Sequence, residues 1–159
     1  MIHTDKNLLL RPRLSDRWIQ YFSKIASETA SMSHAEKLKV GCVAVKDKRP
    51  LLTGFNGTPP GSDNTCECRE TNHTLPEVSH AEENLVTYAA RRGIPLEGTS
   101  LFITHSCCDT CARLILGAGI KEVYFLEYYK TTSGLSFLLQ NGVSTWKITS
   151  NTAVPWSSQ

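Results

Sequence analysis

Two short clusters in this chain carry residue types able to hold a cation and move a proton: His80-Ala81-Glu82 and Cys107-Cys108-Asp109-Thr110-Cys111. Cys108 and Cys111 stand three positions apart, a spacing that on a helical turn puts both sulfurs on one face, where they can close on one tetrahedral ion. His80 offers a third ligand. Cys107 with Cys111 is a four-residue spacing that a helix also permits, and His105 is another nearby donor, so spacing alone leaves the ligand set open. Three protein ligands leave the fourth position of a tetrahedral zinc for water, which is the catalytic rather than the structural arrangement. Helix N-termini favour thiolate over thiol, and a cation completes the deprotonation. Zinc lowers the pKa of water from about 15.7 towards 7. Glu82, beside the ligand and not needed as one, is then placed to accept and return a proton.

Both clusters need a helix start beneath them. Residues 80–92 read as a helix ended by Gly93, and 108–118 as a helix closing on Gly117 and Gly119, with a strand over 100–104 between them. A strand over 121–126, a helix over Ser133–Gln140 and a strand over Val143–Ile148 continue the alternation. Upstream, Leu14, Trp18, Tyr21, Phe22, Ile25 and Met32 recur at helical spacing between Pro12 and Met32. Val40–Val45 and Leu51–Thr53, about the charged turn Lys46–Pro50, predict an antiparallel hairpin. Alternating strands and helices imply parallel strands joined by right-handed crossovers. The expected fold is α/β, a three-layer α-β-α sandwich with a five-stranded mixed sheet, in one domain over 1–159. Gly54–Ser79 holds three of the 10 glycines and three of the 7 prolines with little periodicity, and long irregular stretches of this kind tend to be functional or disordered. The tail Asn151–Gln159 is expected to be mobile.

Composition narrows the function. The 159 residues are 40% hydrophobic and 20% charged, enough for one core. Lys+Arg 17 against Asp+Glu 15 gives +2, and the longest basic runs are Lys48-Arg49 and Arg91-Arg92, a poor footprint for a dedicated nucleic-acid binder. The longest apolar runs, such as Leu8-Leu9-Leu10, fall far short of the roughly 20 residues of a membrane span, and no leader pattern is present, so the expected location is cytoplasmic. In that compartment the 6 cysteines point to metal or catalysis rather than disulfides. Cys42, alone in an apolar run, reads as a small core residue.

His-x-Glu followed by Cys-x-x-Cys is the signature of zinc nucleobase deaminases. Together with Val40-Gly41, Gly54-Phe55-Asn56-Gly57-Thr58-Pro59-Pro60-Gly61, His80 to Asn84, Cys108 to Ala112 and Ala118 to Tyr124, it makes the chain from about Val40 to Ile148 resemble the deoxycytidylate (dCMP) deaminases of the zinc-dependent cytidine deaminase superfamily. The zinc motifs identify the superfamily, and the glycine-rich segment narrows it to the dCMP branch. The resemblance implies a cytidine deaminase-like fold and hydrolysis of dCMP to dUMP with release of ammonia. It makes His80, Cys108 and Cys111 the Zn2+ ligands and Glu82 the proton-transfer group. Asn56 matches the position that holds the sugar hydroxyl, and Tyr128 the aromatic packed on the pyrimidine. It further implies a homo-hexamer activated by dCTP and inhibited by dTTP with Mg2+. Asn56, Gly57, Gly61, Tyr88 and Arg91 then fall at allosteric or subunit-contact positions, with 54–79 as a regulatory loop. Deoxynucleotides are the expected partners, with no membrane and no nucleic acid. Cys107 stands where the family has Pro, which leaves it a neighbour of the ligands rather than one of them.

Cys66, Cys68 and His73, with His34, are candidates for a second, structural zinc, although Cys-x-Cys is an unusual finger spacing. Two rival readings are a deaminase of bases in RNA or single-stranded DNA and a non-catalytic zinc module. The first lacks its basic surface here, and the second has no use for Glu82 beside an open coordination position.

Overall fold

Alternation along the strands assigns every layer. In β1 (Gly41–Lys46) and β3 (Ser100–His105), Cys42, Ala44, Leu101 and Ile103 turn to one side of the sheet, and Val43, Val45 and Phe102 to the other. All of them are buried, as expected of central strands covered on both faces. The computed structural model describes residues 13–158, so Pro12 and Leu8–Leu10 lie outside the described residues.

On one side lies α1 (Asp16–Ser31), whose Ile19, Phe22 and Ala26 meet Val43, Phe102 and Tyr124. On the other lie α2 (Ala81–Arg92), α3 (Asp109–Gly117) and α4 (Ser133–Gln140), which bury Leu85, Ala112, Ile115, Leu135 and Leu138 against the sheet. β2 (Arg49–Phe55), β4 (Glu122–Glu127) and β5 (Ser144–Thr149) complete the expected strands. β1 pairs antiparallel with β2 and with β3, while β3, β4 and β5 run parallel. Phe102, Tyr124 and Trp146 are direct partners across the three parallel strands and stack with centroids 4.5 and 5.9 Å apart. Such aromatic ladders fix register as well as burying area.

Among the described residues the sheet has six strands rather than five, in the order β2-β1-β3-β4-β5-β6. The segment expected to be a mobile tail contains β6 (Thr152–Pro155), antiparallel to β5, with Ala153 buried beside Trp146 and Ile148. Ser150 takes φ 49°, turning the chain back on itself without a glycine. The first hairpin is likewise tighter than its charged sequence suggests: Asp47 and Lys48 take φ 51° and 58°, a two-residue turn whose twist suits a hairpin. The 54–79 segment is irregular but anchored by the bridges Gly57↔Ser79 and Glu67↔Thr74.

Candidate active site

The two motifs open α2 and α3, side by side on one face of the sheet. His80 is the N-cap of α2, and the Glu83 carboxylate accepts from its backbone N–H at 3.3 Å. That helix start is pressed onto β2. Asn84 Nδ2 donates to Phe55 O at 2.8 Å, and a Cβ at Gly54 would lie 2.5 Å from Ala81 O, so only glycine lets the two backbones approach this closely. Cys108 is the N-cap of α3, its Sγ accepting from Cys111 N at 3.5 Å. α4 holds this second start: Ser133 Oγ donates to Asp109 Oδ1 at 2.6 Å, and a Cβ at Gly134 would lie 2.5 Å from Cys107 O.

His80 Nδ1 lies 3.5 Å from the sulfurs of both Cys108 and Cys111, and the three donor atoms all lie within 4.8 Å of one another. In a tetrahedral zinc site with ordinary Zn–N and Zn–S bonds, the N···S edge is about 3.6 Å. The donor set therefore fits zinc in both chemistry and size. Cys107 is fully buried in the hydrophobic core and His105 is outside the triangle, so the geometry selects Cys108 from the alternatives.

Glu82 is 4% exposed. Burial raises its carboxyl above the ordinary range, opposed more weakly by the charge of His80 and a contact from Cys111. Burial also raises the thiols of Cys107 and Cys111 well above theirs. A thiol coordinated by a cation is deprotonated outright, so metal binding at this triangle must expel protons. His105 is shifted the other way, burial lowering its pKa against the opposing charge of Glu127.

Glu82, His80 and Cys108 open onto a cavity of about 440 Å³ that Asn56 and Tyr128 also line. Asn56 clamps one wall: its Oδ1 accepts from Val40 N and its Nδ2 donates to Leu38 O, each at 2.8 Å. Tyr128, half-exposed, stands edge-on to Phe125, and the Lys147 ammonium lies 5.7 Å from its ring. Ser106 Oγ accepts from Tyr129 N at 2.8 Å, fixing the turn that presents Tyr128.

The sequence family described as the cytidine and deoxycytidylate deaminase zinc-binding region matches residues 16–127. The chain belongs to this family. It is 36% identical over 121 residues to a deoxycytidylate deaminase of Mycobacterium phage D29, covering 68% of this chain and 93% of the phage protein. ComE operon protein 2 of Bacillus subtilis is 34% identical over 116 residues, 72% of this chain, and the chain spans only 61% of that relative's length. Among solved structures, the dCMP deaminase of cyanophage S-TIM5, crystallised with dCMP and dUMP, superposes with a TM-score of 0.82 at 36% identity, covering 86% of this chain and 100% of the other.

The remaining candidates divide. Tyr88 is 46% exposed, under the Arg92 guanidinium and beside Leu51 and Leu52 of β2, and neither it nor Arg91 lines the cavity. Gly57 is tied to Ser79, and Gly61 takes φ +89° on an exposed turn with nothing within 4 Å of its would-be Cβ. The second zinc set is not gathered. Among the described residues His80, Cys108 and Cys111 are the one group of three with metal-binding geometry. Cys66 donates to Asn64 O at 3.6 Å, while hydrogen bonding by Thr71 lowers the Cys68 thiol below its ordinary range, so the two sulfurs of the Cys-x-Cys answer to different neighbours. Cys42 is buried in the core, as expected. Glu67, Ser106 and Lys147 went unnoticed in the sequence; each acts through a partner remote in the chain, which local patterning does not reveal.

Proposed function

We propose that this deaminase converts dCMP to dUMP with release of ammonia. The observation that carries the reading is a buried carboxyl, Glu82, on the same cavity wall as a His/Cys/Cys triangle of zinc dimensions. The names of the D29 and S-TIM5 relatives support the substrate. His80, Cys108 and Cys111 would hold the zinc, which would supply the Lewis acidity for making water nucleophilic at neutral pH. Glu82 accepts the proton from the attacking water and passes it to the ring nitrogen next to the amine-bearing carbon. It then helps protonate the departing amine, so that water and dCMP become dUMP and ammonia. Burial raises its carboxyl above the ordinary range, which favours the protonated form it must hold during the transfer. Tyr128 packs on the pyrimidine, and Asn56 retains one N–H and one lone pair beyond its clamp for the sugar.

The finer reading is a homo-hexamer whose turnover rises with dCTP and falls with dTTP and Mg2+. The exposed Tyr88 face, away from the cavity, supports a contact that leaves the active site open. Ammonia release is measured from dCMP, with and without each triphosphate, in wild type and Glu82→Gln. Release lowered by at least about 100-fold in the variant at unchanged zinc content is expected; no release from dCMP by wild type refutes the function, and indifference to both triphosphates removes the regulation.

A further inference from the structure

A second acidic side chain, from an unexpected part of the chain, lines the same cavity. Glu67 belongs to the irregular 54–79 segment, yet it is only 8% exposed. Its position is set by the bridge Glu67↔Thr74 and by two hydrogen bonds to the facing wall: Oε1 accepts from Glu36 N at 3.1 Å and from Lys37 N at 3.2 Å. The two ion pairs among the described residues, Arg13–Asp16 and Lys121–Glu97, are elsewhere. Glu67 is therefore a nearly buried carboxylate with no cationic partner, and its second oxygen takes no hydrogen bond among the described residues.

Burying such a group is costly unless its acceptor capacity is used. Two N–H donors satisfy Oε1, whereas Oε2 has its capacity left for whatever fills the cavity. The wall that Glu67 grips is the one Asn56 clamps at Leu38 and Val40, so both side chains bound one end of the cavity. A pyrimidine deoxynucleotide carries two kinds of donor: the exocyclic amine and the sugar hydroxyl. The amine must lie at Glu82 and the metal triangle, because it is the leaving group. The donor remaining for Glu67 is the hydroxyl.

We propose that Glu67 is a specificity residue that accepts a hydrogen bond from the 3′-hydroxyl of the bound nucleotide. This rests on the deaminase reading for the orientation of the ligand. It predicts that the 54–79 segment contributes directly to substrate selection, by rejecting nucleotides that lack this hydroxyl. An analogue without it covers the open Oε2 and offers no donor in place of solvent, and sites built to bond a hydroxyl discriminate strongly for that reason.

The test needs no turnover, so it fails separately from the proposed function. The dissociation constants of the product dUMP and of 2′,3′-dideoxy-UMP are measured by calorimetry on zinc-loaded wild type and Glu67→Gln. Wild type is expected to prefer dUMP by about 10- to 100-fold, the range for a hydrogen bond to a charged acceptor. Glu67→Gln retains an oxygen for Glu36 N and Lys37 N but loses the charge, and its preference is expected to fall below about 5-fold. Equal binding of the two nucleotides by wild type, or no binding of either, overturns the proposal whatever the variants do. An unchanged preference in a folded, zinc-loaded Glu67→Gln overturns it too, and shows that the carboxylate only clamps the 36–37 wall. Should the variant not fold, the wild-type preference is compared for the 3′-hydroxyl and 3′-O-methyl nucleotides. Loss of affinity on methylation is expected, and equal affinity refutes the donor role of the hydroxyl.

Discussion

Gly54→Ala tests how tightly the active helix is seated. The added Cβ would lie 2.5 Å from Ala81 O and 2.9 Å from Leu85 Cβ, whereas ordinary contact begins at 3.4 Å, so about 0.9 Å of separation must be found. Neither neighbour can rotate away, since one is backbone and the other a Cβ; β2 and α2 must part as units. Overpacking of this kind costs about 1–3 kcal/mol. The smaller conformational freedom of alanine in the unfolded chain returns about 0.4–1 kcal/mol. A net loss of about 1–2 kcal/mol corresponds to a Tm lowered by about 2–8 °C for a chain of this size. α2 carries both His80 and Glu82, while Cys108 and Cys111 ride on α3, so the same displacement opens the triangle. Misplacement by about 1 Å costs up to roughly 100-fold in rate. The assays are a thermal melt, zinc affinity against a chelator, and kcat for dCMP. A variant within 1 °C of wild-type Tm and within about 2-fold in kcat would refute the claim that this glycine sets the seat of α2.

Glu82→Gln is expected to lower kcat by about 100- to 10,000-fold with zinc retained. In metal-free protein it should also stabilise: folding raises the Glu82 pKa above 4.5, so the wild type loses stability as pH rises from that value through the folded pKa, and the variant's Tm advantage should grow over the same interval. Metal analysis should find one zinc per chain, retained in Cys107→Pro and lost in Cys108→Ser; zinc affinity should fall on acidification, because the buried Cys111 thiol must give up its proton to bind it. Phe102→Ala removes the middle of the aromatic stack that joins α1 to the sheet, and urea unfolding should show a loss of about 3–5 kcal/mol.

Legibility in the sequence followed the distance over which each constraint acts. His80 with Glu82, and Cys108 with Cys111, are local spacings at helix starts, and the capping that orients them lies within the same few residues. What joins the two pairs is parallel strand order, which the helix–strand alternation also announces. β6 escaped notice because its turn at Ser150 takes a positive φ without glycine, and its four residues end in a proline. Cys66 and Cys68 misled for the opposite reason: their spacing is conspicuous, but spacing says nothing about which neighbour each sulfur answers to. Glu67 is the hardest case. Its partners are backbone N–H groups 30 and 31 residues away, which no residue type advertises. Only the fold could show that an acid in the least regular stretch of the chain closes the cavity opened by the most regular one.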